Sequence, residues 1–259
     1  MNEASAILVL AHRDFVKLLR DRQRIIADFS FPLIFIGILG TTLQAGFGDR
    51  AGINLLHFVF TGVLAQTVWQ SSAMGIISLI ADREQDFSQE IFVSPISRYS
   101  IILGKILGES LVTLPQALGI VIFGFVLQVP LSPDQLLRMA GAAGAIALFG
   151  GAFGVIVLAN IGSQRAANQI FPFVLLPQFF LAGIFNPIKI LPWYLAPLSL
   201  ISPLRYVVDL LRGILYTGRP EYDKIVLFNP LTNLLVMLVI FVVLMVLGTA
   251  LFVRRETNR

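Results

Sequence analysis

The chain has 259 residues, 56% of them hydrophobic and 13% charged, with a net charge of +4 and a mean hydropathy of +0.83. A soluble domain carries about 45–50% apolar and about 25% charged residues, so both departures indicate a membrane protein. The chain has no cysteine, which excludes disulfides, thiol nucleophiles and thiolate metal sites. With His12 and His57 the only imidazoles, histidine-based metal chemistry is not expected either. The basic residues fall mostly in short segments beside apolar runs, a pattern of membrane orientation and not of nucleic-acid binding.

The start, MNEASAILVLAHRDF, has no basic n-region and its short apolar run breaks at His12-Arg13-Asp14, so no cleavable signal peptide is expected. Residues 5–28 place Ile7, Leu8, Ala11, Phe15, Leu18 and Leu19 at helical spacing, with Arg13, Lys17, Arg20 and Arg24 between them. This predicts an amphipathic helix lying on the membrane surface; the alternative is a helix packed on a soluble domain.

Residues 29–48 lie between Asp28 and Asp49 without a charge and form a first span, with Pro32 near its start. A second span covers 53–81 and a third 101–129, where Lys105 and Glu109 stand four apart and can pair on one helical face. The fourth span, 139–162, is rich in small residues; Gly150 and Gly154 have the GxxxG spacing that lets two backbones approach, without naming the partner. A fifth span covers 166–184 with Pro172 and Pro177 inside it, and a sixth covers 226–253. Between them, 186–216 is apolar but broken by Pro187, Pro192, Pro197 and Pro203. Such a segment can enter the outer side of the membrane and leave on the same side as half-helices, or form an extramembrane cap with Trp193 and Tyr194 at the interface.

With the N-terminus inside, twelve Lys and Arg residues fall on inner segments and two, Arg50 and Arg138, on the short outer loops; the longer loop before the last span carries five more. Both termini, and the loop 82–98, are therefore expected in the cytoplasm. That loop reads REQDFSQEIFVSPISR from Arg83. A short polar helix ends before Ser94-Pro95, since residues before proline avoid the helical region, and Ser97 can cap the next helix. The helix is either a knob that docks into a partner or a plain solvated loop.

The form RExxxxxExxxSPxSRxxxxLGK in this loop, the basic amphipathic N-terminal helix, the six spans and the late segment PLSLISPLRYVVDLLRGILYTG together resemble the membrane subunits of ABC-2 type transporters. The resemblance covers nearly the whole chain and leans toward permeases of the daunorubicin-resistance and nodulation-factor export type, near the polysaccharide exporters. It rests most on Arg83-Glu84, Glu90, Ser94-Pro95 and Gly104-Lys105, then on Pro203, Tyr206, Asp209 and Arg212-Gly213.

The resemblance implies an all-α membrane protein: six transmembrane helices, an interfacial helix at 5–28, a cytoplasmic coupling helix and outer re-entrant half-helices at 186–216. It implies an export subunit in the cytoplasmic membrane of a prokaryote, working as a homodimer or as a heterodimer with a second permease. Arg83, Glu84, Asp86, Phe87, Glu90 and Ile91, ended by Ser94 and Pro95, would dock into a separate ATP-binding cassette ATPase. Gly104 and Lys105 would connect the docked helix to the third span. Phe15, Lys17, Arg20 and Arg24 would belong to the interfacial helix, and Pro203, Tyr206, Asp209 and Arg212 to the re-entrant region. ATP and Mg would sit on the partner. No GxxxxGK[ST] phosphate loop occurs here, and Gly104-Lys105 is followed by Ile106.

Two other classes compete. An ATP-independent transporter or channel would want an ionisable residue deep in the bilayer, and spans one, two, four, five and six show none. A membrane enzyme would need converging acids, histidines or cysteines, and no catalytic set is visible. Substrate identity is open among drugs, lipids and lipid-linked glycans.

Overall fold

The computed structural model describes residues 3–84, 97–158 and 161–257, and every regular element among them is helical. In chain order these are α1 (Glu3–Arg20), α2 (Arg22–Ile34), a π-helical turn (Phe35–Gly40), α3 (Thr41–Ala51), α4 (Leu55–Gly75), α5 (Ile77–Glu84) and α6 (Arg98–Val126). There follow α7 (Pro133–Leu158), α8 (Gln164–Leu181), a 3₁₀ turn (Ile188–Ile190), α9 (Ala196–Ile201), α10 (Pro203–Leu215), α11 (Tyr222–Ile225) and α12 (Pro230–Thr257).

Five helical stretches are long and apolar enough to cross a membrane: Asp28–Gly48, Leu55–Ala81, Tyr99–Val126, Pro133–Leu158 and Tyr222–Leu251. They correspond to expected spans one to four and six. The expected fifth span is the 18-residue α8, whose first turns carry Gln164, Arg165, Asn168 and Gln169. The helix is present, but it is not among these five.

The first span differs from its sequence reading at its start. The helix expected over 5–28 ends at Arg20, and a new helix begins at Arg22. Backbone bonds from Asp21 N to Lys17 O and from Ile25 N to Asp21 O carry the chain through the junction. Pro32 therefore lies well inside α2, where it removes one ladder donor, and a π-helical turn follows three residues on, as such defects invite. The Thr41 hydroxyl donates to the Gly37 carbonyl within that turn. Gly52, at φ +61°, then ends α3 in the left-handed conformation. Asn54 caps α4, accepting from His57 N at 3.0 Å, and Gln44 Oε1 accepts from Leu55 N at 2.7 Å.

The core is centred on α4. Phe58, Phe60 and Trp69 are fully buried there, and the Trp69 and Phe153 rings lie 4.7 Å apart. Gly150 and Gly154 supply the close approach that their spacing promised, and the partner is α4: side chains added at these glycines would fall on the Trp69 and Ala73 carbonyls. α12 packs on α7 through Gly248 and turns Leu234, Leu235, Leu238, Val239 and Val242 outward, as a lipid-facing helix does.

Candidate functional site

The two ends of the loop 82–98 are α5 and the start of α6, and α1 lies against α6. Ser97 caps α6, its hydroxyl accepting from Ser100 N at 3.1 Å, as the sequence suggested. α1 runs alongside the first turns of α6 in the same direction: Gly104 sits 3.2 Å from Ile7 Cα and Gly108 sits 3.1 Å from Ala11 Cα, each measured from where a Cβ would stand. The apolar edge of α1 at Ile7, Leu10 and Ala11 is thus used on α6, while Leu8, Val9 and Leu19 remain exposed. Glu3 extends the contact, accepting from Ser97 N at 3.1 Å; the Ser100 hydroxyl holds its carboxyl below the usual carboxylate value of 4.5.

Between these helices three ionisable side chains are buried together. Lys105 Nζ lies 2.9 Å from Asp14 Oδ2 and 3.9 Å from Glu109 Oε1, and the three residues are 3%, 4% and 2% exposed. The Lys105–Glu109 pair is the one that the four-residue spacing allowed. Arg13 adds an ion pair to Asp14 at 3.0 Å. Ser78 of α5 donates to Glu109 Oε1 at 3.1 Å, and the Glu109 side chain fills the space left by the missing side chain of Gly75. A buried ion pair is tolerable only when each charge is matched, and breaking one costs about 3–5 kcal/mol. The lysine here serves one carboxylate from α1 and one from its own helix, and the second is tied to α5.

Beyond this cluster, α2, α4, α5, α6 and α8 line a polar cleft. Two adjoining hollows of about 160 and 350 Å³ share Asp28, Ser71 and Met74. Gln66, Gln70 and Gln116 line the first; Ser78, Gln164 and Asn168 line the second. Gln116 donates to Asp28 Oδ2 at 2.7 Å, and Gln66 donates to Gln70 Oε1 at 3.0 Å. Gln116 stands 18 residues beyond Arg98 (116 minus 98), roughly 27 Å along α6 at 1.5 Å per residue. Asp28 therefore meets α6 far along its length, a depth that its place at the edge of an apolar run did not reveal. Next to the first hollow the rings of Phe31 and Phe35 stack at 5.3 Å, and Phe35 continues to Phe185 at 5.5 Å.

In the proline-broken segment, α9 and α10 are two short helices meeting at Ser202, and no long helix forms there. Trp193 and Tyr194 are exposed just before them. Pro203 opens α10, where a missing backbone donor does no harm. The Tyr206 hydroxyl donates to Leu200 O at 3.0 Å. Asp209 accepts from Leu227 N, Phe228 N and Asn233 Nδ2 at 2.8, 2.9 and 2.8 Å, so its carboxylate fixes the chain just before α12. Arg212 donates to the carbonyls of Ile184 and Phe58 at 3.3 and 3.4 Å and stacks 3.6 Å over the Phe58 ring.

Of the other residues expected in the site, Arg83 and Glu84 close α5. Asp86, Phe87, Glu90, Ile91, Ser94 and Pro95 lie outside the described residues. Phe15 is half-buried on α1, Lys17 and Arg20 are exposed at its end, and Arg24 lies in α2 rather than in the surface helix. Gly104 and Lys105 face α1, a contact the sequence did not suggest. Asp14, Ser78 and Gly108 went unnoticed; the Gly104-Gly108 spacing, the same signal as Gly150-Gly154, was the one available clue.

The chain is 27% identical over 210 residues to a protein named as a transport permease, ycf38, of Cyanophora paradoxa, covering 80% of this chain and 72% of that one. It is 27% identical over 163 residues to "Probable multidrug ABC transporter permease YbhR" of Escherichia coli K12, covering 62% of this chain and 43% of that protein, so the match spans less than half of that relative. The family profile described as ABC-2 type transporter matches residues 5–216, from the first helix through the end of α10. The chain belongs to the ABC-2 type transporter family and is a membrane permease subunit.

Proposed function

We propose that this subunit forms part of the translocation path of an ATP-driven exporter, paired with a second copy or a sister permease in a prokaryotic cytoplasmic membrane, with both termini inside. The observation that carries the reading is the polar cleft within an otherwise apolar bundle, bordered by stacked aromatic rings. Amides and hydroxyls suit the polar head of an amphiphile and the rings suit its apolar body, so a drug, lipid or lipid-linked glycan fits the lining. Energy comes from a separate ATP-binding cassette ATPase, which holds ATP and Mg and grips the loop 82–98. Nucleotide state then shifts the population of inward- and outward-facing forms.

The test is charge reversal in the loop, Glu84→Lys with Glu90→Lys. Transport and copurification of the ATPase are expected to be lost while membrane insertion is kept; unchanged transport and copurification contradict the docking role.

One observation favours a second reading, an ATP-independent transporter: Asp28 places a half-buried carboxylate in the cleft against Gln116, and acids within membrane spans often mark ion paths. That reading requires transport driven by a proton gradient in vesicles without ATP, abolished by Asp28→Asn.

A further inference from the structure

A 29-residue α6 could receive movement from the loop at its own start without help from any other helix. The buried cluster ties two further helices to it. Asp14 belongs to α1, Lys105 and Glu109 to α6, and Ser78 to α5, so the three helices that carry or flank the loop converge on one ammonium and two carboxylates. The approach is backbone-close on one side, through Gly104 and Gly108, and on the other Glu109 occupies the space beside Gly75. Helices in a membrane are held by close packing and polar contacts without a hydrophobic drive between them, and a buried charge that loses its partner is costly.

We propose that Asp14, Lys105 and Glu109 are positioning residues for energy coupling: they lock α1 and both roots of the cytoplasmic loop into one lever, so that a push on the loop reaches α4 and α6 together. The inference rests on the exporter reading for its purpose and on the cluster alone for its mechanics. Without the lock, α5 and α1 slip relative to α6, and ATP is hydrolysed with little movement of the spans.

The experiment uses two arms. The chain is free of cysteine, so Leu8→Cys and Ala81→Cys place single spin labels on α1 and α5. Their distance distribution is read in the purified subunit, without nucleotide or partner. The second arm measures substrate moved per ATP hydrolysed with the ATPase present. The variants are Glu109→Gln, Lys105→Met, and the neutral Asp14→Asn/Lys105→Met/Glu109→Gln, which removes the three buried charges together and so strands none of them where Lys105→Met strands two carboxylates.

The wild-type distribution is expected to be narrow and the neutral variant's broad, with transport per ATP reduced about tenfold while the ATPase still copurifies. A neutral variant that stays narrow, or that keeps wild-type transport per ATP, overturns the proposal. Failure of any ATPase to copurify with the wild type counts against the exporter reading instead, and the distance arm still decides the lock.

Discussion

Charges are buried at both ends of this bundle, but they are satisfied in different ways. On α10, Asp209 and Arg212 bind backbone: the carboxylate takes two peptide N–H groups and an asparagine amide, and the guanidinium takes two carbonyls and a ring face. At the roots of the loop 82–98, Lys105 binds Asp14 across helices and Glu109 along its own. A charge that clasps backbone fixes one arrangement, because its partners cannot be exchanged. A lysine between two carboxylates can change its share of each as helices shift. The first pattern suits an anchor and the second a joint under load.

The largest effect on stability is therefore expected at the anchor. Asp209→Ala takes the acceptor from one buried and two part-buried donors, and a loss of about 3–5 kcal/mol follows: about 1 kcal/mol for each part-buried peptide and about 1–3 kcal/mol for the buried Asn233 amide. Thermal unfolding in detergent measures it. A loss no larger than at an exposed site would show that the outer segment is not held by this carboxylate.

A smaller and local effect is expected at the joint. Gly108→Val puts branched carbons where a Cβ already stands 3.1 Å from Ala11 Cα, an overpacking that costs about 1–3 kcal/mol. Hydrogen exchange should rise along residues 3–20 and stay unchanged in 203–215. Uniform loss of protection would mean that the two regions are not independent.

The smallest effect concerns Glu3, which is solvent-exposed. Its carboxyl is held below the usual 4.5 by the hydroxyl and amide groups of Ser100 and Ser97. A depressed acid contributes stability above its unfolded value and loses it as pH falls through the folded one. Protection of the Ser97 amide, taken relative to its intrinsic exchange rate at each pH, should therefore be steady at neutral pH and fall only below pH 4.5; Glu3→Gln should remove that dependence.

Five of the six expected spans were legible because a charge-free apolar run is enough to specify a helix long and apolar enough to cross a membrane. Lys105–Glu109, the Ser97 cap and the close approach at Gly150 and Gly154 were legible too, since each depends on spacing within one helix. What escaped were pairings between distant segments: Asp14 with Lys105, Ser78 with Glu109, and Gln116 with Asp28, the last separated by 88 residues. Periodicity shows which face of a helix is apolar, not what covers it. The hydrophobic edge of α1 was read as facing lipid for this reason, while part of it lies on α6. The end of that helix was misplaced because Arg22 and Arg24 continue the same basic, amphipathic pattern into α2.

The most direct test of the central claim is transport in sealed vesicles containing this permease, with and without its cognate ATPase. Substrate movement that needs both the ATPase and ATP, and that disappears with Glu84→Lys/Glu90→Lys, is the predicted result. Full transport by the permease alone, without ATP, would contradict it.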